Sequence, residues 1–246
     1  MSDKLLTTRE ASTFLRVSEA SVRRWADAGI LTASRVGRRR ARRFREADLL
    51  QFMQPGQRGP ASAPGVPRAI VIQGMAVSLG SHLVSFYSSD AGRLRVGLPF
   101  LRDGLLSGQA CLMYVTAPLR DHYLKALGGE RVDVDAAIST GLLTFMSTHR
   151  QSTAGWIAEF ERLVANALRD HPGPVRFLGE TVTGLQNLGS VQELLTLEQQ
   201  LGPVMRRLPV VMLCPYDVRT FDGLTIVEAL KLHFDTYSYQ LASFLS

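Results

Sequence analysis

The sequence has little of what marks secreted or membrane proteins. Only two cysteines, Cys111 and Cys214, occur among 246 residues, and both lie in apolar runs. This excludes a disulfide scaffold and predicts reduced cysteines in a protein core. No apolar run approaches the ~20 residues of a membrane span, and the first residues lack a signal-peptide pattern. We therefore expect a cytoplasmic protein without a membrane partner.

Sequence motifs for catalysis and metal binding are also missing. The chain has no Gly-x-x-x-x-Gly-Lys-Ser/Thr motif, no Gly-x-Gly-x-x-Gly after a predicted strand, no serine nucleophile elbow, no Cys-x-x-Cys and no histidine pair at metal-binding spacing. The segment Ser88–Arg93, after the first predicted strand of the large domain, is polar but lacks the phosphate-binding lysine. The sequence thus predicts a protein that is not an enzyme, and it predicts neither a cofactor nor a metal.

Positive charge is concentrated in the first quarter of the chain. Residues 1–60 hold 13 lysines and arginines against 6 acidic residues, and the remainder holds 15 against 16. Seven arginines fall within the eleven residues Arg35–Arg45. Guanidinium groups suit phosphates and guanine edges. This asymmetry predicts a nucleic-acid-binding head on a nearly neutral body.

The segment before and after these arginines has the pattern of a winged helix-turn-helix. Thr7 and Glu10 form a predicted capping box at the start of one helix, and Ser18 begins a second helix that ends near Gly29. The arginine stretch is predicted to form a β-hairpin with Gly37 at its tip, and a short third helix follows from Arg45 to Met53.

The second helix of such a unit enters a major groove, while the wing follows the flanking DNA backbone or a minor groove. An exposed helix face that binds nothing explains Arg23 and Arg24 equally well, and an RNA-binding or nonspecific patch is the alternative for the wing. The predicted DNA-binding residues are Thr8, Arg9, Ser18, Ser21, Arg23, Arg24, Arg38, Arg39, Arg40, Arg42 and Arg43.

Composition divides the chain into a head (1–54), a linker rich in proline and glycine (55–68) and a large domain (69–246). In the large domain, short apolar runs alternate with amphipathic segments, which predicts an α/β sandwich with a mainly parallel sheet. The predicted strands are 83–87, 110–116, 142–147, 175–180 and 210–215. The predicted helices are 91–106, 118–127, 134–140, 154–170, 191–207, 224–234 and 237–245.

Several polar residues lie near the predicted strand ends or on the helices beside them, where open α/β sheets bind ligands. A structural role is the alternative for each: hydrogen-bonded histidines, packing tyrosines, and Glu198 paired with Arg176, Arg206 or Arg219. The predicted ligand-binding residues are His82, Tyr87, Glu180, Glu198, Cys214, Tyr216 and His233.

Two resemblances sharpen this picture. The segments Leu6–Ala11, Ser21–Leu31 and Arg42–Leu50 resemble the DNA-binding domains of the MerR and excisionase-like proteins. That resemblance implies DNA contacts by the second helix and the wing. Relatives of the MerR type continue into a dimerising coiled coil, whereas a proline-rich linker follows here, so promoter distortion of the MerR kind is not implied.

The large domain is similar to the MEDS family, the sensory domains of DcmR-type regulators. The similarity depends on His82–Tyr87, Pro99–Gly108, Glu198, Leu213–Asp217 and His233. It implies a RecA/KaiC-like α/β fold that senses small hydrocarbon derivatives. Relatives carry a glutamate followed by an aromatic residue where this chain has Glu180-Thr181, which implies a reshaped pocket.

These observations lead to one main hypothesis and two alternatives. We expect a one-component transcription regulator that binds double-stranded DNA as a homodimer and responds to a small-molecule effector, with RNA polymerase as a further candidate partner. One alternative is an architectural or partner-recruiting protein whose body only dimerises. The other is a nucleotide-binding enzyme tethered to DNA.

Overall fold

The chain divides into two compact units, Met1–Gln57 and Arg58–Ser246. The structure is a computed structural model. It describes residues 5–15, 19, 22–23, 26, 31, 33–36, 41–46, 48–49, 69–233 and 235–236. Within them, no helix is long and apolar enough to cross a membrane. The predicted linker (55–68) and the predicted last helix (237–245) lie outside the described residues.

The first unit begins with strand β1 (Leu5–Leu6) and helix α1 (Thr8–Leu15). The predicted capping box is confirmed: the Thr7 backbone N–H donates to Glu10 Oε2 at 2.8 Å, and the Glu10 N–H donates to Thr7 Oγ1 at 3.2 Å. The described residues at 19, 22, 23 and 26 are helical, as predicted for the second helix. A small core holds the unit together; its buried members are Leu6, Ala11, Val22, Leu31, Phe44 and Leu49.

The arginine stretch forms two antiparallel strands, β2 (Ser34–Val36) and β3 (Ala41–Arg45). Strand β3 also pairs with β1, so the sheet order is β1-β3-β2. Phe44 is buried in the core of the unit, whereas its neighbour Arg45 is exposed. Because side chains alternate along a strand, Phe44 packs into the core and attaches the basic hairpin to it, while the neighbouring arginine faces outward.

The second unit begins with a hairpin and continues as alternating strands and helices. Its strands are β4 (Ala69–Ile72), β5 (Met75–Ser78), β6 (His82–Tyr87), β7 (Cys111–Tyr114), β8 (Leu143–Phe145), β9 (Val175–Gly179), β10 (Val210–Asp217) and β11 (Asp235–Thr236). Its helices are α2 (Asp90–Leu106), α3 (Ala117–Gly128), α4 (Val134–Ser139), α5 (Thr153–Asp170), α6 (Thr181–Leu188), α7 (Val191–Met205) and α8 (Gly223–Leu232).

Six of these strands form one sheet in the order β11-β6-β10-β9-β7-β8, and every neighbouring pair is parallel. Every residue of β6, β7, β9 and β10 is buried, because helices cover both faces. Helices α5, α7 and α8 contribute to the core on one face, and α2, α3 and α4 to the core on the other. The predicted α/β sandwich is confirmed, with small shifts at element ends.

In the second unit, the hairpin β4–β5, helix α6 and strand β11 were not predicted. The hairpin β4–β5 turns at Gln73 and Gly74, which have φ values of 49° and 80°; a Gln-Gly pair is a weaker form of the Asn-Gly signal for such turns. Helix α6 contains Thr181, Val182, Thr183 and Gly184, residues of low helix propensity. Strand β11 has only two residues, too few for a pattern.

Candidate functional site

Strand alternation divides the predicted ligand-binding residues between the two faces of the sheet. On β6, His82 and Tyr87 are five positions apart, and side chains along a strand alternate between faces, so the two point to opposite sides. On β10, Cys214 and Tyr216 belong to the core under α5, α7 and α8. The structure therefore forms two polar clusters rather than one pocket.

The first cluster, which we call the histidine–cysteine cluster, contains His82, Glu198, Cys214, Tyr216 and His233. All five residues are buried, with at most 5% of their surface exposed. His82 Nε2 lies 3.0 Å from Glu198 Oε2 and 3.3 Å from Cys214 Sγ. His233 Nε2 lies 3.4 Å and Cys214 Sγ 3.9 Å from the same oxygen. Four elements, β6, α7, β10 and the end of α8, thus direct one donor atom each to a common point.

The other carboxylate oxygen of Glu198, Oε1, and the other ring nitrogen of His233, Nδ1, have hydrogen-bond partners away from this common point. The Tyr216 hydroxyl donates to Glu198 Oε1 at 3.2 Å. His233 Nδ1 lies 2.8 Å from the Ala229 carbonyl oxygen, and because a carbonyl only accepts, Nδ1 carries the proton. In a neutral His233 ring, Nε2 then presents a lone pair to the cluster. Neither His233 Nε2 nor His82 Nδ1 has a hydrogen-bond partner.

Burial and electrostatics set the protonation states in the histidine–cysteine cluster. Burial and the neighbouring His82 lower the pKa of His233 to about 4. Burial acts to raise the pKa of Glu198, but His233 and His82 outweigh it and the pKa lies below its ordinary value. Burial and the Glu198 carboxylate raise the pKa of the Cys214 thiol. These shifts favour a neutral His233, a protonated Cys214 thiol and an ionised Glu198.

The second cluster, the tyrosine–glutamate cluster, contains Tyr87, Arg93, Tyr123 and Glu180. Glu180 follows β9 and is fully buried. It accepts from the Tyr123 hydroxyl at 2.6 Å and from the Tyr87 hydroxyl at 3.0 Å. The Tyr87 hydroxyl in turn accepts from Arg93 Nε at 3.0 Å. Each hydroxyl and each carboxylate oxygen therefore has a partner within the cluster.

Arg93 joins this cluster to three carboxylates. Its guanidinium is within 3.2 Å of Asp90, 3.6 Å of Asp217 and 3.7 Å of Glu180. Arg219 binds Asp217 at 2.7 Å and Asp90 at 2.9 Å, which closes the ring of charges. Asp217 ends β10 and Asp90 begins α2, so the network lies at the carboxyl ends of the strands, where parallel sheets place ligands.

Glu180 is the titratable centre of the tyrosine–glutamate cluster. Burial raises its pKa from 4.5 to about 7, although the Tyr123 hydrogen bond and the Arg93 charge act in the opposite direction. A carboxyl group that changes its protonation near neutral pH is typical of functional sites.

A glycine on α2 makes room for one of the hydroxyls. A Cβ atom at Gly97 would lie 2.5 Å from the Tyr123 hydroxyl oxygen. Any side chain there would displace Tyr123 from its present place, so the short hydrogen bond to Glu180 depends on the missing side chain.

The predicted ligand-binding residues omit five members of this network: Asp90, Arg93, Tyr123, Asp217 and Arg219. Arg93 and Asp217 adjoin predicted strand ends, a signal that could have found them. Tyr123 lies within a predicted helix and gave no signal. The sequence offered an ion pair with Arg176, Arg206 or Arg219 as the alternative role of Glu198. Two of these arginines bind other groups: Arg176 donates to Gln109, Phe100 and Val71, and Arg219 binds Asp217 and Asp90.

The predicted DNA-binding residues are described in part. Arg9 is exposed on α1, and Arg23 forms an ion pair with Glu19 at 2.6 Å, one helical turn before it. On the hairpin, Arg35 lies opposite Arg42 and Ser34 opposite Arg43. Thr8 is half-buried at the start of α1. Ser18, Ser21, Arg24, Arg38, Arg39 and Arg40 lie outside the described residues.

Comparison with known families matches both units. Residues 81–234 match the family described as "MEthanogen/methylotroph, DcmR Sensory domain" (MEDS), and residues 5–56 match a helix-turn-helix domain. The first match contains the whole of both clusters. The second contains α1 and the basic hairpin.

A curated relative matches nearly the whole chain. The transcriptional repressor DcmR of Methylorubrum extorquens is 36% identical over 248 residues, which cover 97% of this chain and 93% of the relative. Two solved structures match with a TM-score of 0.45: a KaiC-like protein from Pyrococcus horikoshii (11% identical, 57% of this chain and 62% of that one) and the flagellar accessory protein FlaH from Methanocaldococcus jannaschii (8% identical, 63% and 69%).

Proposed function

Since the chain belongs to the DcmR family, in which a helix-turn-helix domain is joined to a MEDS sensory domain, we propose that it is a one-component transcription regulator. The first unit binds operator DNA and the second responds to a small molecule. The named relative is a repressor, and we extend repression to this chain as part of the proposal.

The basic hairpin is the observation that carries the DNA-binding half of the proposal. Strands β2 and β3 place Arg35 directly opposite Arg42, and Arg43 and Arg45 follow on β3. Like charges opposite one another in a sheet repel, and a phosphate near them lowers this repulsion. A hairpin after a helix-turn-helix has the position of a wing of the MerR type, which follows the DNA backbone.

We further propose that the regulator acts as a dimer on paired half-sites. Two linked heads raise affinity through effective concentration and match the symmetry of an operator. The effector then changes the relative placement of the heads, which requires a higher affinity for one of the two states. Contact with RNA polymerase is a further part of this proposal, tested by polymerase recruitment at the same promoter.

Tyr87 and Glu180 are the residues that we assign to the effector. They lie at the carboxyl ends of β6 and β9. With Tyr123 they bring together two hydroxyls and a carboxyl group that titrates near neutral pH. The polar group of a small hydrocarbon derivative can replace one partner in one of these hydrogen bonds. Such an exchange changes the charge network that Arg93 holds together.

Footprinting on the DNA upstream of its own gene tests the DNA-binding half. We expect a protected, two-fold symmetric site and an affinity that falls steeply with salt. Arg42→Ala and Arg43→Ala should each weaken binding at all sites and reduce the salt slope by about 1. Arg95→Ala, at an exposed arginine of the other unit, is the matched control. Equal binding to unrelated DNA would overturn the proposal.

A thermal-shift screen with one- to three-carbon alcohols, amines and haloalkanes tests the effector half. We expect one compound class to stabilise the wild type and release the operator, and Glu180→Gln to remove both effects. Stabilisation by none of them, or equal stabilisation of Glu180→Gln, would contradict our assignment. A promoter reporter gives the sign of regulation.

A further inference from the structure

The histidine–cysteine cluster contains the side chains that bind transition metals. Two imidazoles, one thiol and one carboxylate offer four donor atoms, and all four lie within 4.8 Å of one another. Zinc in proteins takes these ligand types, usually four of them in a tetrahedron. The four residues come from separate elements, so no sequence spacing reveals the set.

The separations between the donor atoms fit a tetrahedral ion. Bonds of about 2.0–2.3 Å to nitrogen, oxygen and sulfur place neighbouring donors about 3.3–3.7 Å apart. Four of the six separations are 3.0 Å and 3.4 Å from the two histidines to Glu198 Oε2, 3.3 Å from His82 to Cys214 and 3.9 Å from Cys214 to Glu198, and the other two are at most 4.8 Å. The donors therefore surround a space of the size that one ion fills.

Outer hydrogen bonds orient two of the ligands as metal sites require. The Ala229 carbonyl fixes the proton of His233 on Nδ1, so that Nε2 faces the cluster. The Tyr216 hydroxyl binds Glu198 Oε1 and leaves Oε2 for the common point. Ligating histidines and carboxylates are held in this way by second hydrogen bonds.

Without a cation, the arrangement has an electrostatic conflict. The lone pair of His233 Nε2 points to Glu198 Oε2 at 3.4 Å, and this buried nitrogen has no hydrogen-bond partner. An unpartnered buried nitrogen is destabilising because it has lost its bond to water, and two facing lone pairs repel in addition. A cation at the common point converts both groups into ligands and removes the conflict.

We propose that His82, Glu198, Cys214 and His233 bind one divalent transition-metal ion of the zinc type. On binding, the Cys214 thiol releases its proton to the solvent and its sulfur bonds to the metal, while the two imidazoles bind through Nε2. The thiolate and the carboxylate balance the two charges of the ion. This replaces the organic effector predicted for these residues, and Tyr216 becomes a positioning residue for Glu198.

The site would be structural. Four protein ligands complete a tetrahedron and leave no open position, which is the pattern of structural rather than catalytic zinc. The ion joins β6, α7 and β10 to His233, which ends α8 just before the edge strand β11. Metal binding therefore fastens the last elements of the sheet to its centre. The proposal does not depend on DNA binding, so footprinting can succeed while this one fails.

Titration of the full-length, metal-free protein with Zn²⁺ and with Co²⁺ tests the proposal. We expect one equivalent to bind, and cobalt to give the thiolate charge-transfer band and intense visible bands of a tetrahedral site. Cys214→Ser should lose the charge-transfer band. Cys111→Ser is the matched control, because Cys111 is equally buried but lies in the core on the other face, and it should keep both bands.

Two further variants keep the test decisive if Cys214→Ser does not fold. Tyr216→Phe keeps all four ligands and should lower the zinc affinity by about 10- to 100-fold. Glu198→Gln should lower it further and leave the cobalt thiolate band weaker or absent. Folded wild type without bound zinc and without cobalt bands would overturn the site, and so would equal zinc affinity in Cys111→Ser and Cys214→Ser.

Discussion

The two faces of the central sheet each contain a buried glutamate, and they differ in the groups that surround it. Each buries a glutamate among hydroxyls: Glu198 beside Tyr216 on one face, and Glu180 beside Tyr87 and Tyr123 on the other. The tyrosine–glutamate cluster contains its own cation, Arg93, whose nitrogens reach three carboxylates. The histidine–cysteine cluster contains no lysine or arginine, only two imidazoles, and burial lowers the pKa of one of them, His233, to about 4.

This difference shows how a buried charge can indicate a missing partner. A buried carboxylate needs a compensating charge or a proton. Glu180 has both: the guanidinium of Arg93 beside it supplies a positive charge, and its pKa of about 7 lets it hold a proton near neutral pH. Among the described residues Glu198 has no lysine or arginine beside it, only His82 and His233, and the metal ion proposed above would supply the compensating charge.

Removal of the internal cation should have the largest effect. Arg93→Met leaves Glu180 and Asp217 without their common partner, and we expect a loss of about 3–5 kcal/mol in the free energy of unfolding. Urea unfolding measures it. Arg95→Met, two positions along the same helix and exposed, should change stability by less than about 0.5 kcal/mol. Equal midpoints for the two variants would show that the Arg93 ion pairs contribute nothing.

Addition of the external cation should have the next largest effect. Zinc at about 1,000 times its dissociation constant should raise the free energy of unfolding of the metal-free protein by about 4 kcal/mol. Glu180→Gln should show the full increase, because its cluster lies on the other face, whereas Cys214→Ser should show little. A zinc response that Glu180→Gln lacks would mean that the clusters are not independent.

The ionisation of Glu180 should make stability depend on pH. Its pKa is about 7 in the folded protein and 4.5 as the ordinary value, so the folded state holds the proton more tightly. The stabilisation is complete below pH 4.5 and is lost as pH rises to about 7, by about 3 kcal/mol. The groups that face Glu180 are Tyr87, Arg93, Tyr123 and Asp217.

Urea unfolding of the wild type and Glu180→Gln across this pH range measures the effect. The difference between the two curves should fall with rising pH, because glutamine does not titrate. Parallel curves would place the pKa of Glu180 near its ordinary value and remove it as the titratable centre of its cluster.

The smallest effect should come from the cap that starts α2. Ser89 Oγ accepts from the Gly92 N–H at 3.0 Å, one residue before Arg93. Ser89→Ala should cost about 1 kcal/mol in urea unfolding, and the exposed Ser107→Ala at the other end of the helix should cost less. A larger loss than for Arg93→Met would mean that the cap, and not the cation, holds this cluster.

Much of the fold follows from the sequence because its signals are local. Continuous apolar runs such as Val210–Pro215 predict buried parallel strands, and the capping box at Thr7 and Glu10 predicts the start of α1. Helix α6 escaped because Thr181-Val-Thr-Gly has low helix propensity and only its position between β9 and α7 makes it helical. Tertiary packing overrides propensity there.

The candidate site was less predictable because its geometry is not local. The sequence drew attention to His82 and Tyr87, and their odd spacing along a strand already implies opposite faces. It did not show that Glu198 and His233 reach Cys214, since that depends on how α7 and α8 pack on the sheet. Arg93 ends the polar segment that follows the first predicted strand of the large domain, and that segment lacks the lysine of a phosphate-binding loop. The role of Arg93 as the internal cation follows only from the three carboxylates around it.

A position without chemistry of its own governs part of this site. The space above Gly97 is filled by the Tyr123 hydroxyl, whose hydrogen bond helps to keep the pKa of Glu180 from rising further. Exchange of one hydrogen for a methyl group on α2 would therefore alter the acidity of a carboxyl group on another element. If the tyrosine–glutamate cluster binds the effector as we propose, a substitution at position 97 would change the response without altering any polar atom of the cluster.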